Sequence, residues 1–144
     1  MCDEYGIAVI SEAPAVGLQS VNMVREAFYA RSSSAIPRSH PPSLLPPALH
    51  TLQVRETLRA HLDIMGELIT RDKNHPSVIM WSVANEPDSE ASAAATYFKH
   101  LVAQTKALDP SRPVSFASFK SAEKDLAAAH VDVIMINKYH GWYV

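Results

Sequence analysis

The chain has 144 residues, of which 47% are hydrophobic and 19% are charged. This composition is typical of one globular domain and excludes a fibrous or fully disordered protein. Thirteen Lys and Arg residues against fifteen Asp and Glu residues give a formal net charge of −2. A nucleic-acid partner is therefore not expected, because the basic surface that binds phosphates is missing. We expect no membrane partner either, since no apolar run approaches the roughly 20 residues of a membrane span.

The first third of the chain predicts a strand, a loop and a helix. The short β-branched run Gly6–Ile10 predicts a buried strand that leads into Ser11 and Glu12. A Pro- and Ser-rich stretch at about 19–51 predicts an inserted irregular loop, because proline removes N–H donors and fixes φ. A polyproline ligand is the alternative for this stretch, although no two of its prolines are three residues apart. From about 52 to 70, apolar residues recur at spacings of four, three and four, which predicts an amphipathic helix.

The middle of the chain predicts a second strand and a second helix. The run Val78–Ala84 is mostly apolar without alternation, which is typical of a parallel strand covered on both faces. Asp88 or Ser89 is expected to cap the next helix, and Asp109-Pro110 is expected to end it. One face of this helix is predicted to be buried: Ala94, Tyr97, Phe98, Leu101, Thr105 and Leu108.

The last third predicts a strand at Val114–Ser118, a short helix at Ala122–Ala129 and a strand at Val131–Asn137. Strands that alternate with helices indicate an α/β fold with a parallel sheet, either open and doubly wound or closed into a barrel. A (β/α)8 TIM barrel takes about 250 residues, so four strands in this length correspond to about half of one. The open alternative is less well supported, because nucleotide-binding sheets carry a glycine-rich first turn that this chain lacks.

Polar and aromatic side chains follow each predicted strand. Ligands bind at the carboxyl ends of parallel strands, so these residues are the candidates for a site. They include Glu12, Asn85-Glu86-Pro87, Ser118-Phe119-Lys120 and 137–143. Carboxylates beside aromatic rings suit a sugar, whose hydroxyls need polar partners and whose ring face packs on an aromatic face.

Glu86 is the strongest catalytic candidate. A carboxylate at the end of a buried strand can donate a proton to a leaving oxygen. Asn85 beside it can bind a substrate hydroxyl without adding charge. The alternative for Glu86 is a capping role at the start of the following helix, where the helix dipole favours a negative charge.

Four segments resemble glycoside hydrolase family 2, and most closely its β-glucuronidases, in the same order along the chain. These segments are Asp3–Ile7, Arg71–Pro87, Leu108–Val114 and Val131–Ile134. The resemblance implies a TIM-barrel catalytic domain that hydrolyses β-glucuronides with retention of configuration. It also implies a homo-oligomer, which in animals is lysosomal, although the sequence offers neither a signal peptide nor a glycosylation site to support that location.

The resemblance also implies site residues. Glu86 matches the general acid/base, Asn85 matches the amide that contacts the sugar, and Tyr139 matches a tyrosine beside the catalytic carboxylates. The second carboxylate, the nucleophile, lies in the family on a later strand than those matched here. Glu12 lies where the family has an Asp-Glu pair, and it is either a structural residue of the rim or a substitute nucleophile. Trp142 follows the last strand and is either a packing residue or a sugar platform.

Two hypotheses remain open from the sequence. In the first, the chain is a catalytic segment that uses Glu86, with the nucleophile supplied by sequence beyond it. In the second, it is a truncated and inactive product that acts at most as an interaction partner. No metal and no cofactor are expected, because the seven histidines do not fall at metal-binding spacings. The isolated chain is expected not to hydrolyse an aryl β-glucuronide, because double displacement needs two carboxylates.

Overall fold

The computed structural model describes residues 1–18 and 47–142, with side chains in 1–18 and 57–142. The described part contains the following strands: β1 (Val9–Glu12), β2 (Val78–Asn85), β3 (Val114–Ser118) and β4 (Val133–Ile136). It contains the following helices: α1 (Cys2–Tyr5), α2 (Pro47–Asp72), α3 (Ser92–Leu108) and a 3₁₀ helix at Ala128–His130. None of the described helices is both long and apolar enough to cross a membrane.

The four strands form one parallel sheet in the order β1-β2-β3-β4. The strands thus have the same order in the sheet as in the sequence. Right-handed crossovers between such strands place the connecting helices on one face of the sheet, as in a barrel. A doubly wound sheet would instead reverse its strand order at a switch point. The predicted α/β class and the partial TIM barrel are therefore confirmed, and the open alternative is wrong.

The core lies between the sheet and the helices α2 and α3. Trp81 of β2 and Phe116 of β3 are fully buried there, and the Phe116 ring lies 5.4 Å from that of Phe98 on α3. The α2 stripe that the sequence predicts faces this core: Leu58, Leu62, Met65 and Ile69. The predicted face of α3 is also buried, except for Leu108, which is 48% exposed at the last residue of the helix.

The first strand begins later than predicted. Residues 2–5 form the short helix α1, and Gly6 ends it in the left-handed conformation with φ 66°. Glycine tolerates this conformation because it has no Cβ. The chain becomes extended only at Val9, so Ser11 and Glu12 belong to β1 and do not follow it.

The second helix of the sequence prediction also begins later than expected. Its N-cap is Ala91, which makes no side-chain capping hydrogen bond. The expected cap at Asp88 or Ser89 is therefore wrong, although the predicted end before Asp109 is confirmed. Helix α3 has little need of a cap, because its stability comes from the buried face that packs on the sheet.

The predicted helix at 122–129 is wrong, and Asp125 supplies the physical reason. Its Oδ1 accepts hydrogen bonds from the backbone N–H groups of Ala127 and Ala128, both at 3.1 Å. Its Oδ2 accepts a bond of 2.6 Å from the Ser118 hydroxyl at the end of β3. An Asp side chain that binds nearby backbone donors competes with the hydrogen bonds of a helix, so only the 3₁₀ helix forms.

The Pro- and Ser-rich insertion lies largely outside the described residues. Helix α2 begins at Pro47, so the end of the stretch that the sequence assigns to a loop is helical. Proline fits the first turn of a helix, where its missing N–H would have no helical acceptor. Nothing in the structure tests the loop prediction for 19–46.

Candidate active site

Asn137, the first residue after β4, connects the ends of two strands. Its side-chain Nδ2 donates a hydrogen bond of 2.8 Å to Glu86 Oε1 and one of 3.0 Å to Asn85 Oδ1. The Tyr139 hydroxyl donates to the same oxygen of Glu86. Three of the residues singled out by the sequence, Asn85, Glu86 and Tyr139, therefore lie together. Asn137 joins them as a fourth.

The backbone of Asn85 and Glu86 is held from both sides. The loop after β1 supplies one pair of bonds: the Asn85 N–H donates to the Ala15 carbonyl at 3.0 Å, and the Gly17 N–H donates to the Asn85 carbonyl at 2.8 Å. On the other side, the Glu86 N–H donates to the Ala117 carbonyl of β3 at 2.8 Å. This segment lies at the carboxyl end of β2, and backbone hydrogen bonds fix its position against both of its neighbours.

Glu86 has a φ of 51°, which lies in the left-handed region. That conformation costs an L-residue with a Cβ about 1–2 kcal/mol, and such strain is typical of functional sites. The pairing of β2 with β3 also shifts register between Ser82 and Asn85.

Helix α3 begins at Ser92, six residues after Glu86. The capping alternative for Glu86 is therefore wrong.

A buried histidine supports the strand behind this segment. His61 belongs to α2. Its Nε2 is 2.8 Å from the Val83 carbonyl, and its Nδ1 is 2.9 Å from the Tyr97 hydroxyl on α3. Burial lowers the pKa of His61, so its imidazole is neutral. Because a carbonyl only accepts, Nε2 carries the hydrogen and Nδ1 accepts from Tyr97. The two helices are thereby bound to β2 two residues before Asn85.

Glu12 lies at the carboxyl end of β1 on the opposite face from Ser11. Its Oε2 accepts a 2.6 Å hydrogen bond from the Ser82 hydroxyl of β2, while Ser11 donates to Asp72 of α2 at 2.9 Å. Strand alternation explains this difference, since neighbouring side chains point to opposite faces. Glu12 thus makes the hydrogen bond that a structural residue of the rim would make, and its contact joins β1 to β2.

The two tryptophans have opposite environments. Trp81 is fully buried, and its indole N–H donates to Asp109 at 3.0 Å, so it is a packing residue. Trp142 is 78% exposed, and its backbone N–H donates to the Tyr139 carbonyl at 3.0 Å. This turn places Trp142, with its indole exposed, three residues after Tyr139, which contacts Glu86.

The sequence pattern singled out Asn85 and Glu86, and the family resemblance added Tyr139, whereas Asn137 was only one of the residues 137–143 and had no role of its own. The available signal was its position, directly after a strand and at the same edge as Asn85. His61 also carried a signal, because it is a polar residue between the apolar positions 58, 62 and 65 of one helix. Neither signal names the partner, since partners 51 and 22 residues away are found only in the tertiary structure.

Comparison with known proteins assigns this arrangement to a family. The model of the glycosyl hydrolases family 2 TIM barrel domain matches residues 1–144. The chain belongs to glycosyl hydrolase family 2. It is 48% identical over 143 residues to the β-glucuronidase of Canis lupus familiaris and 42% identical to that of Homo sapiens. Each match covers 99% of this chain but 18% of the relative, so the family 2 segment described here spans less than a fifth of those proteins.

Solved structures of the family agree with the fold. The β-D-glucuronidase of Dictyoglomus thermophilum matches with a TM-score of 0.73 and 41% identity, over 99% of this chain and 21% of that one. The β-glucuronidase of Ruminococcus gnavus in complex with D-glucaro-1,5-lactone matches with a TM-score of 0.72 and 34% identity, over 99% and 20%. The resemblance to family 2 is confirmed. These matches support a glycoside hydrolase and do not favour the truncated, inactive product.

Proposed function

We propose that this chain supplies the acid/base side of a β-glucuronidase active site. The observation that carries the proposal is the Glu86 carboxylate, held at the end of β2 by Asn137 and Tyr139. Its support is the membership of family 2 and the identity to β-glucuronidases over 99% of the chain. The substrates are β-glucuronides, and no metal or cofactor takes part.

In the first step, Glu86 donates its proton to the glycosidic oxygen while the bond between that oxygen and the anomeric carbon breaks. A second carboxylate forms a bond to the anomeric carbon, and we assign this nucleophile to a later strand of the barrel. In the second step, the Glu86 carboxylate takes a proton from water, which attacks the anomeric carbon and releases the nucleophile. Because configuration inverts twice, the product retains the β-configuration.

Asn85 and the aromatic residues recognise the sugar in this proposal. The Asn85 amide binds a hydroxyl of the glucuronide, and the exposed Trp142 indole packs on an apolar ring face. Glu12 has a supporting role, because its carboxylate is engaged by the Ser82 hydroxyl. We also propose a homo-oligomer, as the resemblance implies, which sedimentation velocity measures directly.

The proposal is tested by hydrolysis of phenyl β-D-glucuronide, whose leaving group needs a proton, in the full protein that its gene encodes. Glu86→Gln is expected to lower kcat/KM by about 10²–10⁴-fold, the usual contribution of general acid/base catalysis. Glu123→Gln is the matched control, because it makes the same change at an exposed carboxylate in the segment between β3 and β4. Its activity should equal that of the unsubstituted protein.

Azide distinguishes an acid/base from a nucleophile. In Glu86→Ala, azide can enter beside the missing carboxylate, attack the glycosyl-enzyme and give the β-glucuronosyl azide with an increased rate. Formation of the α-azide would instead assign the nucleophile role to Glu86 and contradict the proposal. Undiminished activity of Glu86→Gln would contradict it as well.

Binding is tested separately from catalysis. D-Glucaro-1,5-lactone is bound in the Ruminococcus gnavus relative, and we expect the 144-residue chain to bind it with lower affinity in Asn85→Ala than in the unsubstituted chain. Titration calorimetry measures both dissociation constants. Equal constants would remove Asn85 from the sugar site while leaving the role of Glu86 to the kinetic test.

A further inference from the structure

The Asn137 side chain directs both hydrogens of one amide into the site. An NH2 group has two N–H donors, and here one reaches Glu86 Oε1 at 2.8 Å and the other reaches Asn85 Oδ1 at 3.0 Å. The backbone of Asn137 is itself fixed, because its N–H donates to the Ser118 carbonyl of β3 at 2.8 Å. The half-buried amide therefore has little freedom to turn away from its two acceptors.

The first consequence concerns the two oxygens of Glu86. Both side-chain hydrogen bonds that the described residues give this carboxyl group end on Oε1, one from Asn137 and one from Tyr139. An oxygen that accepts two hydrogen bonds cannot readily carry the acidic proton as well. The proton is therefore directed to Oε2, which becomes the oxygen that meets the leaving group.

The second consequence concerns the Asn85 amide. Because Oδ1 of Asn85 accepts from Asn137, the carbonyl end of this amide is engaged and its NH2 end points the other way. The flipped orientation would bring two NH2 groups together and leave a donor without an acceptor. Asn85 thus presents a donor to the substrate hydroxyl and not an acceptor.

We propose that Asn137 is a positioning residue that orients both groups at once, placing the acidic proton on Oε2 of Glu86 and the donor end of Asn85 towards the sugar. This inference rests on the proposed function of Glu86. It predicts that Asn137 matters most for glycosides whose leaving group needs protonation. For such substrates the position of the acid enters the rate, whereas for an acidic phenol it does not.

The hydrogen bond is tested without catalysis, by ¹⁵N–¹H NMR of the 144-residue chain. The side-chain NH2 signals of Asn137, assigned from their loss in Asn137→Ser, are expected to shift in Glu86→Gln. They should stay unchanged in Glu123→Gln, which makes the same chemical change at a carboxylate in the segment between β3 and β4. If the Asn137 NH2 signals did not shift in Glu86→Gln, the proposal would be overturned.

The positioning role is tested by comparing kcat/KM for substrates with different leaving groups, in the full protein that its gene encodes. Asn137→Ala is expected to lower kcat/KM on phenyl β-D-glucuronide by about 10²-fold, the lower range for a lost acid/base contribution. On 2,4-dinitrophenyl β-D-glucuronide, whose leaving group needs no proton, the loss should be only a few-fold. Asn137→Asp, which keeps the size but has no NH2 donor, should behave like Asn137→Ala.

Asn74→Asp is the control, because it makes the same change in an exposed turn before β2. It should leave both rates unchanged. Equal losses on the two substrates in Asn137→Ala would indicate a general structural role and overturn the proposal. If the unsubstituted protein hydrolysed neither substrate, the proposed function of Glu86 would fail. The NMR experiment would still show whether Asn137 binds the Glu86 carboxylate.

Discussion

Strands β2 and β4 bring the two halves of one site together, but they are buried to very different extents. In β2, Trp81 and Val83 have no exposed surface. In β4, Ile134 is 37% exposed and Ile136 is 55% exposed. Within the described residues, packing holds the strand that leads to Glu86, whereas hydrogen bonds to β3 hold the strand that leads to Asn137. Strength of packing is thus no guide to which strand supplies the residues that orient a catalytic group.

Three hydrogen bonds hold the ends of β4 against β3, one of them from the Asp132 N–H to the Val114 carbonyl at 2.9 Å. Before the strand, Asp132 accepts a 2.9 Å bond from the Val114 N–H, and after it the Asn137 N–H donates to the Ser118 carbonyl. The Asp132 carboxylate also accepts from Lys106 at 2.6 Å. The bonds from Lys106 and Val114 lower the pKa of Asp132, so it is ionised at neutral pH.

The largest expected difference between the two strands lies in their apolar side chains. Trp81→Ala should lower the free energy of unfolding by about 3–5 kcal/mol, because it leaves a cavity in the core and removes one of the hydrogen-bond donors to Asp109. In the 144-residue chain, Ile136→Ala should cost less than about 1 kcal/mol, since more than half of that side chain is exposed. Urea denaturation measures both values. Similar costs would contradict the comparison.

The next largest effect is a pH dependence of stability that arises from His61, which supports β2. Burial lowers the pKa of His61 in the folded protein, so below its ordinary value of about 6.5 the unfolded chain binds a proton that the folded chain does not. Stability should therefore fall as the pH drops below 6.5, by at most about 1.4 kcal/mol per pH unit. Urea denaturation from pH 8 to 5 measures the free energy of unfolding of the unsubstituted protein and of His61→Gln. The difference between the two values should become smaller as the pH falls.

His100→Gln is the matched control for this pH dependence, because His100 is an exposed histidine on α3. Its stability curve should run parallel to that of the unsubstituted protein. A His61→Gln curve with the same slope below pH 6.5 would show that His61 is not the group responsible.

A smaller effect is expected from the backbone of Glu86. Glycine adopts a φ of 51° without the strain that a Cβ causes, so Glu86→Gly should be more stable than Glu86→Ala by about 1–2 kcal/mol. Neither variant has the carboxylate, so their difference isolates the conformation of the backbone. Thermal and urea denaturation measure it. A more stable alanine variant would contradict the left-handed assignment.

The smallest effects concern the anchor of β4. Asp132→Ala should cost about 1 kcal/mol, because the Val114 N–H loses its acceptor. Lys106→Ala should cost less than that, since the ion pair with Asp132 is exposed to water and such pairs contribute about 0.2–1 kcal/mol. Urea denaturation in low and high salt separates the two. Equal costs that both vanish in salt would show that β4 is held by charge and not by the backbone hydrogen bond.

The class of fold could be predicted from the sequence, and so could several of the residues that the structure brings together at the candidate site. Periodicity alone located the buried face of α2 at Met65 and Ile69, and an uninterrupted apolar run located β2. These predictions succeed because burial on one face leaves a regular spacing of apolar residues in the chain. Asn85 and Glu86 were identifiable as well, because they stand at the end of a buried strand, whereas the family resemblance pointed to Tyr139.

Which groups meet, and in what orientation, depends on the tertiary structure. The helix predicted at 122–129 does not form because of the hydrogen bonds that the Asp125 carboxylate makes. The orientation of Glu86 depends on Asn137, which is 51 residues away in the sequence. Local patterns record which positions are buried, but they carry no information on strand register. A hydrogen bond forms only when donor and acceptor come within about 3 Å with the right angle, and it is the register of four parallel strands that brings them there.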